Sequence, residues 1–298
     1  MAPSSDKPDR PADVTIRVAL ERTAELLASA GIPDPMVDAE LLLGHVLGLS
    51  RGGVQAAVVR GDALPPGAPA AVDELAIRRA GREPLQHITG LAAFRHLELR
   101  VGPGVFVPRP ETEIVAQIAI DALSAVASPS PVAVDLGTGS GAIALALATE
   151  VPHARVYAAE NSADAIAWTR ENFERVGAVN AHLALVDLAK AFPELDGTVS
   201  VVVSNPPYVP DDAVPRDPEV RLHDPAAALY GGPDGLDVVR EVSRAALRLA
   251  HQGGAVVIEH GEWQGAAIRE LLTADGWRAA STHPDLTMRD RATTAIRP

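Results

Sequence analysis

The chain contains no cysteine, which excludes disulfides and thiolate metal sites outright. Aromatic residues are scarce, at four Phe, three Trp and three Tyr, so apolar burial must come mainly from Ala, Val and Leu. Positive charge is in deficit: 26 Lys and Arg stand against 39 Asp and Glu, for a net charge of −13. Proteins that wrap duplex DNA or ribosomal RNA usually carry a basic face. The balance therefore favours a protein or small-molecule substrate, and no direct nucleic-acid contact is expected. No apolar run reaches the roughly 18 residues of a membrane helix. The opening MAPSSDKPDRPADV has no apolar segment of the signal-peptide kind. A cytoplasmic protein without membrane contact is expected. The histidines show no H-x-x-x-H spacing beside an acid, so no metal is expected.

What remains is a globular balance, 47% hydrophobic and 22% charged over 298 residues. That length suits one large domain or a medium domain with a small one. Residues 1–12, rich in Pro, Ser, Asp and Lys, read as a disordered tail. From Val14 to about Arg82 the pattern is helical. Ile16, Leu20, Ala24 and Leu27 mark one apolar face, and Gly31 stops that helix. Asp34-Pro35 supplies an N-cap and a first-turn proline for a second helix to about Leu49. Further helices are predicted around Val54 to Val59 and Ala68 to Ala80. Then His96 to Val101 alternates, and Gly102-Pro103-Gly104 turns into Val105-Phe106-Val107, which predicts a hairpin.

From about Glu111 helix and strand alternate. Strands are predicted at Val132 to Asp135, Arg155 to Ala159, His182 to Val186, Val199 to Val203 and Ala255 to Glu259. Helices fit at 111–126, 141–149, 163–176, 234–250 and 264–274, and Trp277 to Ser281 with Arg291 to Arg297 could close the sheet. Such a series implies an α/β fold with an open parallel sheet covered on both faces.

Val132-Ala133-Val134-Asp135-Leu136-Gly137-Thr138-Gly139-Ser140-Gly141 is a strand running into a glycine-rich turn that opens a helix. The glycines let the backbone approach a ligand closely. The bland alternative is a turn that only packs a helix on a strand. Two details favour a methyl donor over a dinucleotide. The third glycine comes one residue early for G-x-G-x-x-G, and Asp135 would repel a pyrophosphate but suit a cationic amino-acid end. Glu160, followed by Asn161, ends the second strand, where an acid can accept from both ribose hydroxyls. Asp187-Leu188 follows the third strand, placed to accept from an adenine amino group and pack its face. The alternative for Asp187 is a helix N-cap.

Ser204-Asn205-Pro206-Pro207-Tyr208 follows the fourth strand. An amide nitrogen is a poor nucleophile, because its lone pair is delocalised into the carbonyl. Two acceptors, the Asn205 side-chain oxygen and the Pro206 backbone carbonyl, can orient an NH2 group for attack on a sulfonium methyl. The paired prolines Pro206 and Pro207 stiffen the loop, and Tyr208 offers a face to a planar amide or base. Asn-Pro-Pro can also be no more than a turn, a reading weakened by the glycine loop upstream. Together these residues point to a nitrogen methyltransferase using S-adenosylmethionine.

At these residues the chain resembles the HemK/PrmC family of protein-(glutamine-N5) methyltransferases, which modify the Gly-Gly-Gln motif of peptide chain release factors. The resemblance extends through Glu83-Pro84-Leu85-Gln86-His87-Ile88-Thr89-Gly90 and Phe106-Val107-Pro108-Arg109-Pro110-Glu111-Thr112-Glu113. It continues at Glu219-Val220-Arg221, Ala228-Leu229-Tyr230-Gly231-Gly232, Asp234-Gly235-Leu236, Glu259, Gln264 and Asp290-Arg291. It implies a class I, Rossmann-like seven-stranded methyltransferase domain over 111–298. Before it would come a helical substrate-recognition domain over 13–90 and a hairpin linker over 91–110. It also implies that Asn205 and Pro206 hold the glutamine amide, with Pro207 and Tyr208 completing the catalytic loop. Asp135, Leu136, Gly137, Thr138, Gly139, Gly141, Glu160, Asn161, Asp187, Leu188 and Asn205 would line the donor site. Arg109 and Glu111 would face substrate or hold the linker. The implied partner is a release factor, met by a monomer. A glutamine methyltransferase acting on a ribosomal protein is the near alternative, and a nucleic-acid adenine-N6 methyltransferase a more distant one. Residues 210–224 read as a surface loop or a flap. Met288 stands where the family has glycine.

Overall fold

The computed structural model describes residues 14–298, so the tail expected over 1–12 lies outside the described residues. The chain divides into two compact units, one ending at Thr89 and the other spanning Gly90–Pro298. The first unit is helical: α1 Ile16–Ser29, α2 Pro35–Leu47, α3 Arg51–Arg60, α4 Ala68–Ala80 and the short α5 Leu85–Thr89. Helix α1 buries the face formed by Ile16, Leu20, Ala24 and Leu27, packed with Leu42, Leu43, Val54 and Val72. Thr15 caps α1 by accepting from the Val18 amide. Asp34 occupies the N-cap position of α2, but its side chain makes no capping hydrogen bond, and Pro35 alone carries the start signal. Helix α3 begins at Arg51, three residues before the apolar pattern, because the Ser50 hydroxyl accepts from the Gly53 amide.

The second unit opens with a hairpin, β1 Leu91–Phe94 and β2 Leu97–Arg100. The alternating segment is thus one of its strands, but its partner lies upstream, not at Val105 to Val107. The turn is Arg95-His96, with Arg95 in the left-handed region at φ 54. That conformation costs about 1–2 kcal/mol for a non-glycine residue. It is held because Glu150 and Gln117 bind the guanidinium and Glu113 accepts from the Arg95 amide. Gly102 does not turn a hairpin. It lies against the Trp168 ring, where a Cβ would come within 2.4 Å. Val105 and Val107 are buried side by side without joining a ladder.

The remaining elements are α6 Thr112–Ser124, β3 Val132–Leu136, α7 Ala142–Glu150, β4 Arg155–Glu160, α8 Ala165–Val176, β5 Ala181–Leu185 and β6 Val199–Ser204. They continue with α9 Pro218–His223, α10 Ala226–Leu229, α11 Asp237–Leu249, β7 Ala250–Glu259, α12 Gly265–Ala274, β8 Arg278–Pro284 and β9 Asp290–Ile296. The seven-stranded sheet runs β5-β4-β3-β6-β7-β9-β8, parallel except where β9 pairs antiparallel with both neighbours. Strands β3 and β6 are buried at every residue, which explains their near-continuous apolar composition. Their side chains still divide by the two-residue period. Ala133, Val201 and Val203 join α6 and α7 in one core. Val132, Val134 and Val202 join α11 and α12 in the other.

Met288 sits in the β8–β9 turn at φ 64 and is 80% exposed. Asp285 builds that turn by accepting from the amides of Thr287 and Arg289. A Met288→Gly variant is therefore expected to be more stable by about 0.5–1 kcal/mol, the relieved strain exceeding the added unfolded-state entropy. A urea midpoint at or below that of the parent would refute this.

Candidate active site

The chain leaves β3 for β4 and β5 on one side, then crosses to β6 on the other. This switch point separates the loops after β3 and β6 and opens a crevice at the carboxyl edge of the sheet. A cavity of about 980 Å³ lies there, walled by the ends of β3, β4, β5 and β6 and by residues before α6. It is lined by Asp135, Leu136, Gly137, Thr138, Gly139, Glu160, Asn161, Asp187 and Leu188. Asn205, Pro206, Pro207, Tyr208, Arg109 and Glu111 line the same cavity. Gly141 does not. At φ +87 its Cα faces Phe173 and Thr169, so it packs α7 against α8.

Gly137 and Gly139 both have positive φ, and an added Cβ at either would meet nothing within 4 Å. Their small size thus leaves open space for a ligand, with no packing reason for it in the fold. Asp135 is 1% exposed. One carboxylate oxygen, Oδ2, accepts from the Thr138 hydroxyl at 2.6 Å and the Ala144 amide at 3.1 Å. No group among the described residues bonds Oδ1. Burial pushes this carboxyl up to about 7, against the hydrogen bonds that favour its charged form. A half-satisfied buried carboxylate at a cavity wall fits a ligand ammonium.

Glu160 is bound on three sides: Oε2 accepts from the Gly139 amide, and Oε1 from the amides of Asn161 and Ser162. It therefore ties the glycine loop to β4; Oε1 has both lone pairs engaged, and Oε2 keeps its second lone pair for a hydroxyl. Asp187 caps the 3₁₀ turn Leu188–Lys190 by accepting from the Ala189 amide. The capping reading of Asp187 is thus observed alongside its place on the cavity wall.

On the opposite wall, the Ser204 hydroxyl donates to the Leu136 carbonyl at 2.6 Å, stapling the end of β6 to the end of β3. Asn205 follows, half-buried, and its Nδ2 donates to the Thr112 hydroxyl at 3.4 Å. The Tyr208 hydroxyl reaches Glu259 Oε1 at 3.4 Å, and burial raises its pKa, so it stays a neutral donor. Gln264 Nε2 donates to the Tyr208 carbonyl, and Gly235 (φ +72) packs against that same carbonyl, where a Cβ would come within 2.3 Å. Both contacts hold the loop from behind.

Arg109 pairs with the fully buried side chain of Asp224 at 2.5 Å and lies 4.9 Å over the Phe106 ring. It thus anchors the far end of the 210–224 segment, whose Val214, Asp217 and Val220 roof the cavity. Burial still raises the Asp224 carboxyl above its usual range, despite the guanidinium. Glu111 sits at the N-cap position of α6 on the cavity wall.

Thr112, Glu259, Arg291 and Asp224 surround these residues and were not assigned roles from sequence. Their positions, 112, 224, 259 and 291, share no spacing. Thr112, Glu259 and Arg291 fall within the stretches that resemble the family, and Glu259 also shows as an acid ending the apolar run Ala255–Ile258, in the manner of Glu160 after β4.

Comparison with known proteins bears on this geometry. A PrmC N-terminal domain profile matches residues 18–90, and a methyltransferase small domain profile matches 96–228. A release factor glutamine methyltransferase from Streptomyces coelicolor is 50% identical, over 92% of this chain and 95% of its own length. A 4-amino-L-phenylalanine/4-methylamino-L-phenylalanine methyltransferase from Streptomyces pristinaespiralis is 38% identical, over 95% of each chain. A 16S rRNA N2 methyltransferase from T. thermophilus, solved with AdoMet and guanosine, shares the fold at a TM-score of 0.51 and 20% identity, covering 70% of this chain and 50% of that one. With half of its residues identical to the S. coelicolor enzyme across nearly the whole of both chains, the protein belongs to the release factor glutamine methyltransferase family.

Proposed function

We propose that this protein transfers a methyl group from S-adenosylmethionine to the side-chain amide nitrogen of the glutamine in the Gly-Gly-Gln motif of peptide chain release factors. The observation that carries the reading is the shared cavity. Asn205 and Pro206 at the end of β6 face the same space as the open glycines and the half-satisfied Asp135 carboxylate at the end of β3. S-adenosylmethionine supplies an electrophilic methyl on a sulfonium, with an ammonium, a ribose and an adenine as handles.

Asp135 would hold the ammonium, Glu160 the ribose through the free lone pair of Oε2, and Asp187 with Leu188 the adenine. Asn205 Oδ1 and the Pro206 carbonyl would accept from the two N–H bonds of the glutamine, turning its NH2 toward the methyl. Positioning and exclusion of water carry the rate enhancement, and the amide proton departs after transfer. The helical unit over 13–90 would recognise the protein substrate, with residues 111–298 holding the donor. Membership of the family supports a release factor over a ribosomal protein. The net charge of −13 supports a protein over a nucleic acid.

The test is incubation with labelled S-adenosylmethionine and, in parallel, release factors, ribosomal protein, 4-amino-L-phenylalanine and DNA, followed by mass mapping. A methyl on the Gly-Gly-Gln glutamine is expected. Label confined to any other acceptor overturns the assignment.

A further inference from the structure

The three tryptophans of the chain sit in different surroundings. Trp277 is 2% exposed and Trp168 is half-buried against Gly102, but Trp263 stands 87% exposed. It nevertheless lines the cavity, together with Val214 of the roof, itself 68% exposed. Two apolar side chains that line the cavity and also face solvent lie on its rim. An indole left in water forgoes the free energy that burial would give it. Nothing in the proposed chemistry uses it.

The fold holds this ring out on a rigid turn. Gln264 closes the 261–264 turn twice: its amide donates to the Gly261 carbonyl, and its Oε1 accepts from the Gly261 amide. Its Nε2 donates to the Tyr208 carbonyl at 2.9 Å, so one side chain clamps both this turn and the 205–208 loop. On the other flank Glu262 pairs with Arg289 at 3.6 Å, tying in the β8–β9 turn. Arg289 lines the cavity as well, and Leu286 and Met288 in the same turn are exposed. An aromatic fixed in this way beside the reacting loop loses little conformational freedom when a partner covers it.

We propose that Trp263 is the platform on which the protein substrate lays the backbone beside its methylated residue. The proposal rests on the reading that the substrate is a protein loop carrying the Gly-Gly-Gln glutamine. A free amino acid can pass wholly into the cavity. A glutamine that reaches Asn205 from a protein leaves its own main chain at the mouth, on the rim. The glycines of that motif carry no Cβ, so an indole face can lie flat on their peptide planes. Carboxylates outnumber guanidiniums on the cavity lining, which favours a basic segment over an acidic one. The contact is made with parts of the substrate that do not react, so it acts on capture and not on methyl transfer.

The test is steady-state methylation of a release factor by Trp263→Ala and Trp263→Phe, with the wild type alongside. Trp263→Ala should raise the release factor KM by about tenfold to a hundredfold, as loss of an aromatic anchor does. A contact equal in ground and transition states leaves kcat within about threefold of wild type. The thermal midpoint and donor affinity should match wild type, and Trp263→Phe should bring KM back to within about threefold. A second readout needs no turnover: enzyme labelled with 5-fluorotryptophan gives three 19F signals, of which Trp263→Phe removes one. That signal should shift when release factor is added and stay in place when the enzyme alone is concentrated. An unchanged KM in Trp263→Ala, or a signal indifferent to release factor, overturns the proposal. So does a signal that moves with enzyme concentration, which makes the occupant a second copy of the chain. Should the wild type label a ribosomal protein in place of a release factor, the substrate reading fails and the same comparison decides Trp263 on that protein. Label on 4-amino-L-phenylalanine alone overturns both.

Discussion

Asn205→Ala is expected to reduce kcat on a release factor by about a hundredfold to a thousandfold, while S-adenosylmethionine affinity stays within about threefold. The acceptor pair proposed at Asn205 and Pro206 is one side chain and one backbone carbonyl, so mutation can remove only the first. Ser204 is stapled to Leu136, and Gln264 holds the Tyr208 carbonyl, so the loop keeps its course without the Asn205 side chain. What disappears is an acceptor aimed at an N–H that becomes more acidic as its nitrogen is alkylated. That interaction grows along the reaction and belongs in kcat. The release factor KM should move less than kcat. An unchanged methylation rate in Asn205→Ala, measured by scintillation counting at saturating donor, would remove Asn205 from the chemistry.

The second large effect concerns Asp135. In an unfolded chain an aspartate ionises near pH 4. In the folded protein burial holds the Asp135 proton up to about pH 7. Between those values the folded state binds more protons than the unfolded one, so this group's contribution to stability is present at low pH and lost as pH rises toward 7. An ammonium against Oδ1 favours the carboxylate and pulls in the other direction. Donor binding should therefore weaken as pH falls below about 7, approaching tenfold per pH unit, with a proton released on binding near pH 6.5. Above about pH 8 the donor's own amino group begins to lose its proton, which bounds the optimum from the other side.

Asp135→Asn should separate the two roles. The amide oxygen can still accept from Thr138 and Ala144, so the glycine loop keeps its anchor. The uncharged side chain no longer incurs the desolvation cost, and the ligand-free protein should melt higher than wild type at pH 8. Donor affinity should drop by about thirtyfold or more, the usual consequence of truncating one side of a buried charge pair. Its dependence on pH between 5.5 and 7 should flatten. Calorimetry in buffers of differing ionisation enthalpy reads both the affinity and the proton count. A variant that binds donor as tightly as wild type, with the same pH profile, would exclude Asp135 as the ammonium's partner.

Much of the scaffold was legible because it depends on local periodicity and punctuation. Strands β3 and β6 announce themselves as unbroken apolar runs, since both of their faces are covered. Helix α1 shows its face at four-residue spacing, and the stops fall on residues such as Gly31 and Gly48 that enter the left-handed region at no steric cost. The hairpin was half legible. The alternation in β2 is a local signal, but its partner is chosen by the two-residue turn at Arg95, and what tolerates that turn is a cluster of side chains from α6 and α7.

The amino-acid sequence by itself determined the long helices and the parallel strands, the acids at successive strand ends, the glycine loop and the Asn205-Pro206-Pro207-Tyr208 segment. Each is a property of neighbours along the chain. Tertiary structure alone decided which groups meet: Arg109 with Asp224, 115 positions away, and Asn205 with Thr112, 93 positions away. It also separated Gly141, which packs two helices, from Gly137 and Gly139, which leave open space. The physical reason is that burial and hydrogen-bond direction are set by what the sheet's crossover brings together. Only there does an acid ending an apolar run, Glu259, come within reach of the Tyr208 hydroxyl, 51 positions away.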